Sequence, residues 1–226
     1  MPAAASVPSP IPGVPRPLTP RGERTRRALV EGARRVFERD GYHDARLADI
    51  TAESGVSVGT FYLYFDGKDQ ALVAVLEQLE AEMLAAGRPE RREREPRDPV
   101  ARIEAANRAY LAAYRDRAPL MLLLEQAATL QPAFRAMRSR RGRTFTQRNA
   151  AQIERLQREG HADPTLDPLV AARALSGMVA RLAYYEYALR PDDADEERRA
   201  DADEALVRTA TTLWVNALAI RPPLRP

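Results

Sequence analysis

The sequence predicts an all-α protein: an N-terminal helix-turn-helix head of three helices, followed by a larger helical C-terminal domain. Three observations predict it. From Gly22 onward, apolar residues recur three and four positions apart almost without a break, the period of a helix with one buried face. No stretch alternates apolar and polar residues, as a half-buried strand must. Finally, Asp98-Pro99 and Asp167-Pro168 each place a capping carboxylate before a proline at the first helical position, where the missing N–H costs nothing.

Composition narrows the function classes. The chain of 226 residues is long enough for one core or two small ones. It has no cysteine, which excludes disulfides, thiolate metal sites and cysteine nucleophiles. No run approaches the roughly 20 apolar residues of a membrane span, and the N-terminus lacks the apolar core of a secretory signal. A cytoplasmic location is expected. Net charge is +3, and among the 35 basic residues only Lys68 is a lysine. The charge is unevenly placed. Arg16, Arg21, Arg24, Arg26 and Arg27 stand against Glu23 alone at the front, whereas 192–204 is rich in Asp and Glu. A basic front and an acidic rear orient a molecule on a polyanion.

The elements follow in order. Residues 1–20 hold seven of the 18 prolines and read as a disordered arm, with or without a DNA contact. Leu29, Ala33, Val36 and Phe37 mark a first helix over about Gly22 to Asp40, with Gly41 as its stop. Short helices are expected over Leu47 to Glu53 and Ser57 to Phe65, completing a head over 21–67. Lys68 to Ala86 makes a fourth helix. The charged segment at 87–97 then connects head to body, so that 68–97 forms the junction. The body, 98–220, has helices starting at Pro99, Pro119 and Pro132. Another runs from Pro168 to about Leu189, and a last one over about Asp203 to Ala219 follows an acidic loop. Residues 221–226 form a tail.

The chemistry concentrates between Asp49 and Lys68, DITAESGVSVGTFYLYFDGK. Two short helices around Ser54-Gly55-Val56 make a helix-turn-helix, with Gly55 taking a backbone conformation that a side chain opposes. Ile50, Val56 and Phe61 are spaced to pack the pair together, and Phe65 to lock it onto the fourth helix. Ser57 caps the second helix and leaves its positive dipole end facing outward. Gly59 permits close approach to a groove. Thr60, Tyr62 and Tyr64 offer hydroxyls to phosphate or base edges, and Lys68 offers a charge. Gly67-Lys68 is no phosphate loop, because Tyr62 and Asp69 stand where glycine and Ser or Thr are required.

These residues carry a family resemblance. Arg24 to Leu72 resembles the DNA-binding head of the TetR family of regulators, through Gly41, Asp49-Ile50, Ser54-Gly55-Val56-Ser57, Gly59-Thr60-Phe61-Tyr62, Phe65 and Lys68. The resemblance implies a homodimer on a palindromic operator, usually a repressor released by a small molecule. It implies that Val58, Gly59 and Thr60 face the groove, and that Tyr62, Tyr64 and Lys68 hold phosphates. Two positions depart from the family pattern. Ala45-Arg46 replaces the usual threonine before the motif, leaving Asp44 to cap and Arg46 to meet phosphate. Tyr64 replaces a common histidine, so no pH dependence is expected there. If Lys68 meets a phosphate, Lys68→Ala lowers the salt slope of DNA binding by about 1.

The body offers candidates with two readings each. Tyr110, Tyr114, Met121, Phe134, Met137, Phe145, Met178, Leu182 and Tyr185 are aromatic and flexible side chains that either line a cavity for a hydrophobic ligand or are plain core. Arg138, Arg140, Arg141 and Arg143 form either a solvated face or a receptor for an acidic ligand. Ala171, Ala174, Gly177, Ala210 and Ala217, among Leu175, Val179, Leu213 and Trp214, suit either a four-helix dimer interface or internal packing. His43 and His161 are far apart, with no metal spacing and no nucleophile motif. Neither catalysis nor a cofactor is expected. The rival reading is a helical ligand-binding protein or enzyme with an idle head; a third is an activator or nucleoid protein insensitive to ligand.

Overall fold

The computed structural model describes residues 19–86, 98–130, 132–189 and 196–220. Most of the expected proline-rich arm, the charged connector at 87–97, part of the acidic stretch and the tail lie outside the described residues. Within them the fold is all-α, with no strand.

Helix α1 (Pro20–Asp44) starts at Thr19, whose hydroxyl accepts from the Gly22 N–H at 3.2 Å. Gly41 sits at φ +72°, where an L side chain would clash with its own backbone. Gly41 therefore kinks the chain as expected of a stop, but helical backbone resumes to Asp44. Helix α2 (Leu47–Ser54) ends at Gly55, φ +67°. Helix α3 (Val58–Tyr62) is capped by Ser57, which accepts from the Thr60 N–H at 3.2 Å. It ends three residues before the expected Phe65. Helix α4 (Lys68–Ala86) leads away from the head. Leu29, Ala33, Ile50, Phe61 and Leu72 are sealed from solvent between these helices.

The body comprises α5 (Pro99–Arg115), α6 (Ala118–Leu130), α7 (Pro132–Arg158), α8 (Pro168–Ala183) and α9 (Glu196–Ala217). Asp98 and Asp167 cap α5 and α8 by accepting from Ala101 N–H at 3.0 Å and Val170 N–H at 2.8 Å. A single π-helical turn, Tyr184–Ala188, extends α8. Helix α9 begins seven residues before the expected Asp203.

Polar pairs fix the layers: buried Asn107 donates to Thr211 between α5 and α9, and half-buried Asn149 to Ser176 between α7 and α8. Head and body meet where Tyr42 touches Phe134, ring centroids 6.2 Å apart, and where Glu82 of α4 receives Arg34 from α1 and Arg117 from the α5–α6 turn. No helix among the described residues is long and apolar enough to cross a membrane.

Candidate nucleic-acid interface

Helix α3 is anchored by one face and bare on the other. Phe61 is sealed in the head core and stacks against Phe65, 5.5 Å away. Residues one or two steps from Phe61 are then turned 100° or 200° from the core. Accordingly Tyr62, one step on, is 56% exposed; Val58, in the first turn of the helix, is 46% exposed. At Gly59 the nearest atom to the place a side chain would take is the Ser57 hydroxyl, 3.9 Å away, so no protein group fills the space. Thr60 shares its hydroxyl with Ser57 at 2.9 Å, which ties both polar groups to the helix start. Tyr64 is half-buried and leans on the head core.

One exposed residue escaped the sequence reading. Leu63, 81% exposed, is the barest large apolar side chain of this surface. The signal was present, since Leu63 lies two residues beyond the buried Phe61 and so on the opposite side. It was passed over because apolar residues are read first as core.

Arg46 is exposed and occupies the N-cap position of α2 without a side-chain cap bond. The expected cap from Asp44 is absent from the start of α2; Asp44 is instead the last residue of α1.

Lys68 departs from its expected role. Its ammonium donates to the carbonyls of Tyr42 (2.9 Å), His43 (3.2 Å) and Ala45 (3.2 Å), and lies 4.8 Å from the Tyr42 ring centroid. An ammonium has three donors, and all three meet the orphan carbonyls where α1 ends. Lys68 is thus a clasp between α1 and α4, not a free charge offered to phosphate. We expect Lys68→Met to destabilise the head by about 1.5–3 kcal/mol, the range for a charged hydrogen-bonding group. The salt slope of DNA binding should stay unchanged, as salt titration and thermal denaturation would show. A slope lowered by about 1 without loss of stability would restore the phosphate role.

Residues 29–75, which span this motif and its flanking helices, match the family model described as bacterial regulatory proteins, tetR family. The head thus matches that of the TetR family, and the chain as a whole is similar to regulators of that family. Over 88% of its length it is 24% identical to the HTH-type transcriptional regulator EthR of Mycolicibacterium smegmatis, covering 92% of that protein. The fold is similar to that of Salmonella enterica GusR, with a TM-score of 0.69 over 86% of this chain and 95% of that one at 19% identity. It is equally similar to the fatty acid degradation regulator FadR from Bacillus halodurans, TM-score 0.69 over 91% and 100% at 17% identity. The matched head supports a DNA-binding transcriptional regulator.

Behind the head, the nine body side chains expected to line one cavity fall in different places. Tyr114, Met121, Met137 and Phe145 are buried, with Tyr110 beside them, its ring 6.1 Å from Tyr114 and 5.6 Å from Phe145. Met178 and Leu182 of α8 are half-buried. Phe134 is buried against Tyr42 of the head, so it belongs to the junction. Tyr185 is 51% exposed; its hydroxyl accepts from Arg181 at 2.7 Å, and that guanidinium covers its ring. The π turn explains this correction, because an extra residue in the turn rotates everything after α8. Tyr187 is turned toward the interior instead. It lies 6.3 Å from the Tyr114 ring and donates to Asp203 at 2.8 Å. A 3.6-residue period could not have found it.

The arginine run divides too. Arg138 pairs with Glu125 at 2.7 Å, Arg140 lies 3.9 Å from Glu80, and Arg143 donates to Ser139. Arg141 alone is buried. The small residues also separate by face: Ala174, Gly177, Leu213 and Ala217 are exposed, while Ala210, Leu175, Val179 and Trp214 lie inside.

Glu82 is the charged link between head and body. Burial alone would raise its pKa, but hydrogen bonds from Arg117 and Gln78 and the charge of Arg34 hold it below the usual carboxylate range. It therefore stays ionised and keeps the two arginines on one anchor.

Proposed function

We propose that the chain is a homodimeric repressor that leaves a palindromic operator when a small, largely apolar ligand binds the body. The observation that carries the DNA reading is the uncovered face of α3, where Val58, Gly59, Tyr62 and Leu63 stand clear of the protein while Phe61 fixes the helix from behind. The absence of a side chain at Gly59 permits close approach, and the Tyr62 hydroxyl supplies a phosphate or base contact.

The dimer forms through the outward faces of α8 and α9. Val170, Ala174 and Gly177 on one, and Leu213 and Ala217 on the other, leave an exposed, small-residue surface over which two copies of a helix pair can approach closely. Two heads so joined enter successive major grooves about 34–36 Å apart. A ligand among the buried tyrosines and methionines acts through its different affinity for the two head spacings. The mechanical route is α4, tied to both parts by Glu82. Operation on DNA places the protein in the cytoplasm.

The test is binding of the full chain to the DNA upstream of its own gene. Saturable, sequence-selective binding with two chains per site is expected. Tyr62→Ala should weaken it by about ten-fold or more, the loss of one base or phosphate contact. Because Tyr62 is exposed, the melting temperature should not change. Equal affinity of the variant and the parent chain, or binding without sequence preference, would remove α3 from the interface.

A further inference from the structure

The inference here rests on the ligand-responsive reading above and names the chemistry of the ligand. Arg141 on α7 is only 8% exposed, and its Nε has no hydrogen-bond partner among the described residues. A guanidinium does not lose its proton inside a protein, so the charge is buried with the side chain. Burying a charge without a counter-charge is strongly unfavourable, and buried arginines are normally matched by a carboxylate.

Among the described residues, none of the surrounding groups supplies that match. The nearby carboxylate that acts on Tyr110 and Tyr114 is Glu125, and Arg138 already holds it at 2.7 Å. The Tyr110 hydroxyl lies within hydrogen-bonding reach of the Arg141 guanidinium. Burial raises both Tyr110 and Tyr114 well above the usual phenol range, so these tyrosines stay neutral. The Phe145 ring, 5.6 Å from the guanidinium carbon, adds only a weak attraction. The aromatic rings beside this charge, Phe145 and Tyr114, are both buried.

We infer that Arg141, with the Tyr110 hydroxyl beside it, is the anion-recognising end of the effector site, and that the effector is a small monocarboxylate with an apolar remainder. A carboxylate matches the guanidinium fork with two parallel hydrogen bonds. One buried positive charge balances one negative charge. A phosphate monoester, at about −1.5 to −2, would leave excess charge in the core. The tyrosine O–H supplies a further donor to the carboxylate, and the aromatic and methionine side chains receive the apolar part.

The experiment uses the full chain, with decanoate and 3-phenylpropanoate as probes and their primary amides as controls. Melting temperature and release from the DNA upstream of its own gene are both followed. A carboxylate should raise the melting temperature while its amide does not. Arg141→Met should leave the ligand-free protein as stable as the parent chain or more so, since it removes an uncompensated charge. The carboxylate affinity should fall by about ten-fold or more, the loss of a charged hydrogen bond. Arg141→Lys, which keeps the charge and loses the fork, should fold like the parent and bind the carboxylate more weakly.

A purely structural arginine would behave oppositely. Arg141→Met would then lower the melting temperature without altering the response to the probes, and that result overturns the inference. If amides act as well as acids, the inference also falls, while ligand-controlled release survives. If carboxylates stabilise the protein through Arg141 but never release DNA, the anion site stands and the release reading fails.

Discussion

Phe61→Ala is expected to abolish specific DNA binding and to melt the head well below the body. The ring is sealed from solvent and stacks on Phe65. It is also the side chain that holds a helix of only five residues, Val58–Tyr62. So short a helix has no stability of its own and exists through its packing. Removing a buried phenylalanine side chain costs about 3–5 kcal/mol, against a total of about 5–15 kcal/mol for a whole domain. The expected signature is two thermal transitions where the parent chain shows one, with the helical signal of the body retained. A variant that melts in one step and still binds its operator would mean that α3 is held by something other than Phe61.

Gly32→Ala is expected to cost DNA affinity by a different route. A methyl group at Gly32 would stand 2.1 Å from Ser54 Oγ and 3.1 Å from both the Cβ and the backbone nitrogen of Ser54. The hydroxyl can rotate aside, at the cost of its 2.6 Å bond to the Ile50 carbonyl; the backbone nitrogen cannot. Helix α2 must therefore shift away from α1 and carry α3 with it. Overpacking of this kind costs about 1–3 kcal/mol, and the better helix propensity of alanine offsets about 1 kcal/mol. Stability should therefore fall modestly, while operator affinity falls much further because the interface is displaced. Ser54→Ala in the same chain removes the nearest atom and should recover part of that affinity. If Gly32→Ala binds DNA as tightly as the parent, the close approach of α1 and α2 does not set the position of α3.

Much of the head was legible because its information is local. Gly55 with its positive φ, the Ser57 cap and the inward Phe61 are each decided within a few residues. The family pattern condenses those same constraints. Gly32 was not legible: a glycine in a helical run signals close packing only once its neighbour is known, and Ser54 lies 22 positions away. The carbonyl setting of Lys68 was not legible for the same reason. A lysine at the start of a helix beside a DNA-binding motif suggests a phosphate, and only the return of α1 to that point reveals three carbonyls to occupy it. In the body, the helical period identified the buried set but not its partition. Phe134 turned toward the head, Tyr185 turned outward after the π turn, and one arginine of four turned inward.

By itself the sequence determined that the chain is helical, the caps at Ser57, Asp98 and Asp167, the glycine turn and the side of α3 that faces away from the core. These follow from backbone sterics and from burial of apolar surface over short distances, both of which act through near neighbours in the chain. The tertiary structure alone decided which charges meet: Lys68 on the end of α1, Glu82 between Arg34 and Arg117, and Arg141 buried without a carboxylate among the described residues. The physical reason is that an ionic or polar side chain takes its role from whatever group folding brings within a few ångströms, and that group is usually remote in sequence.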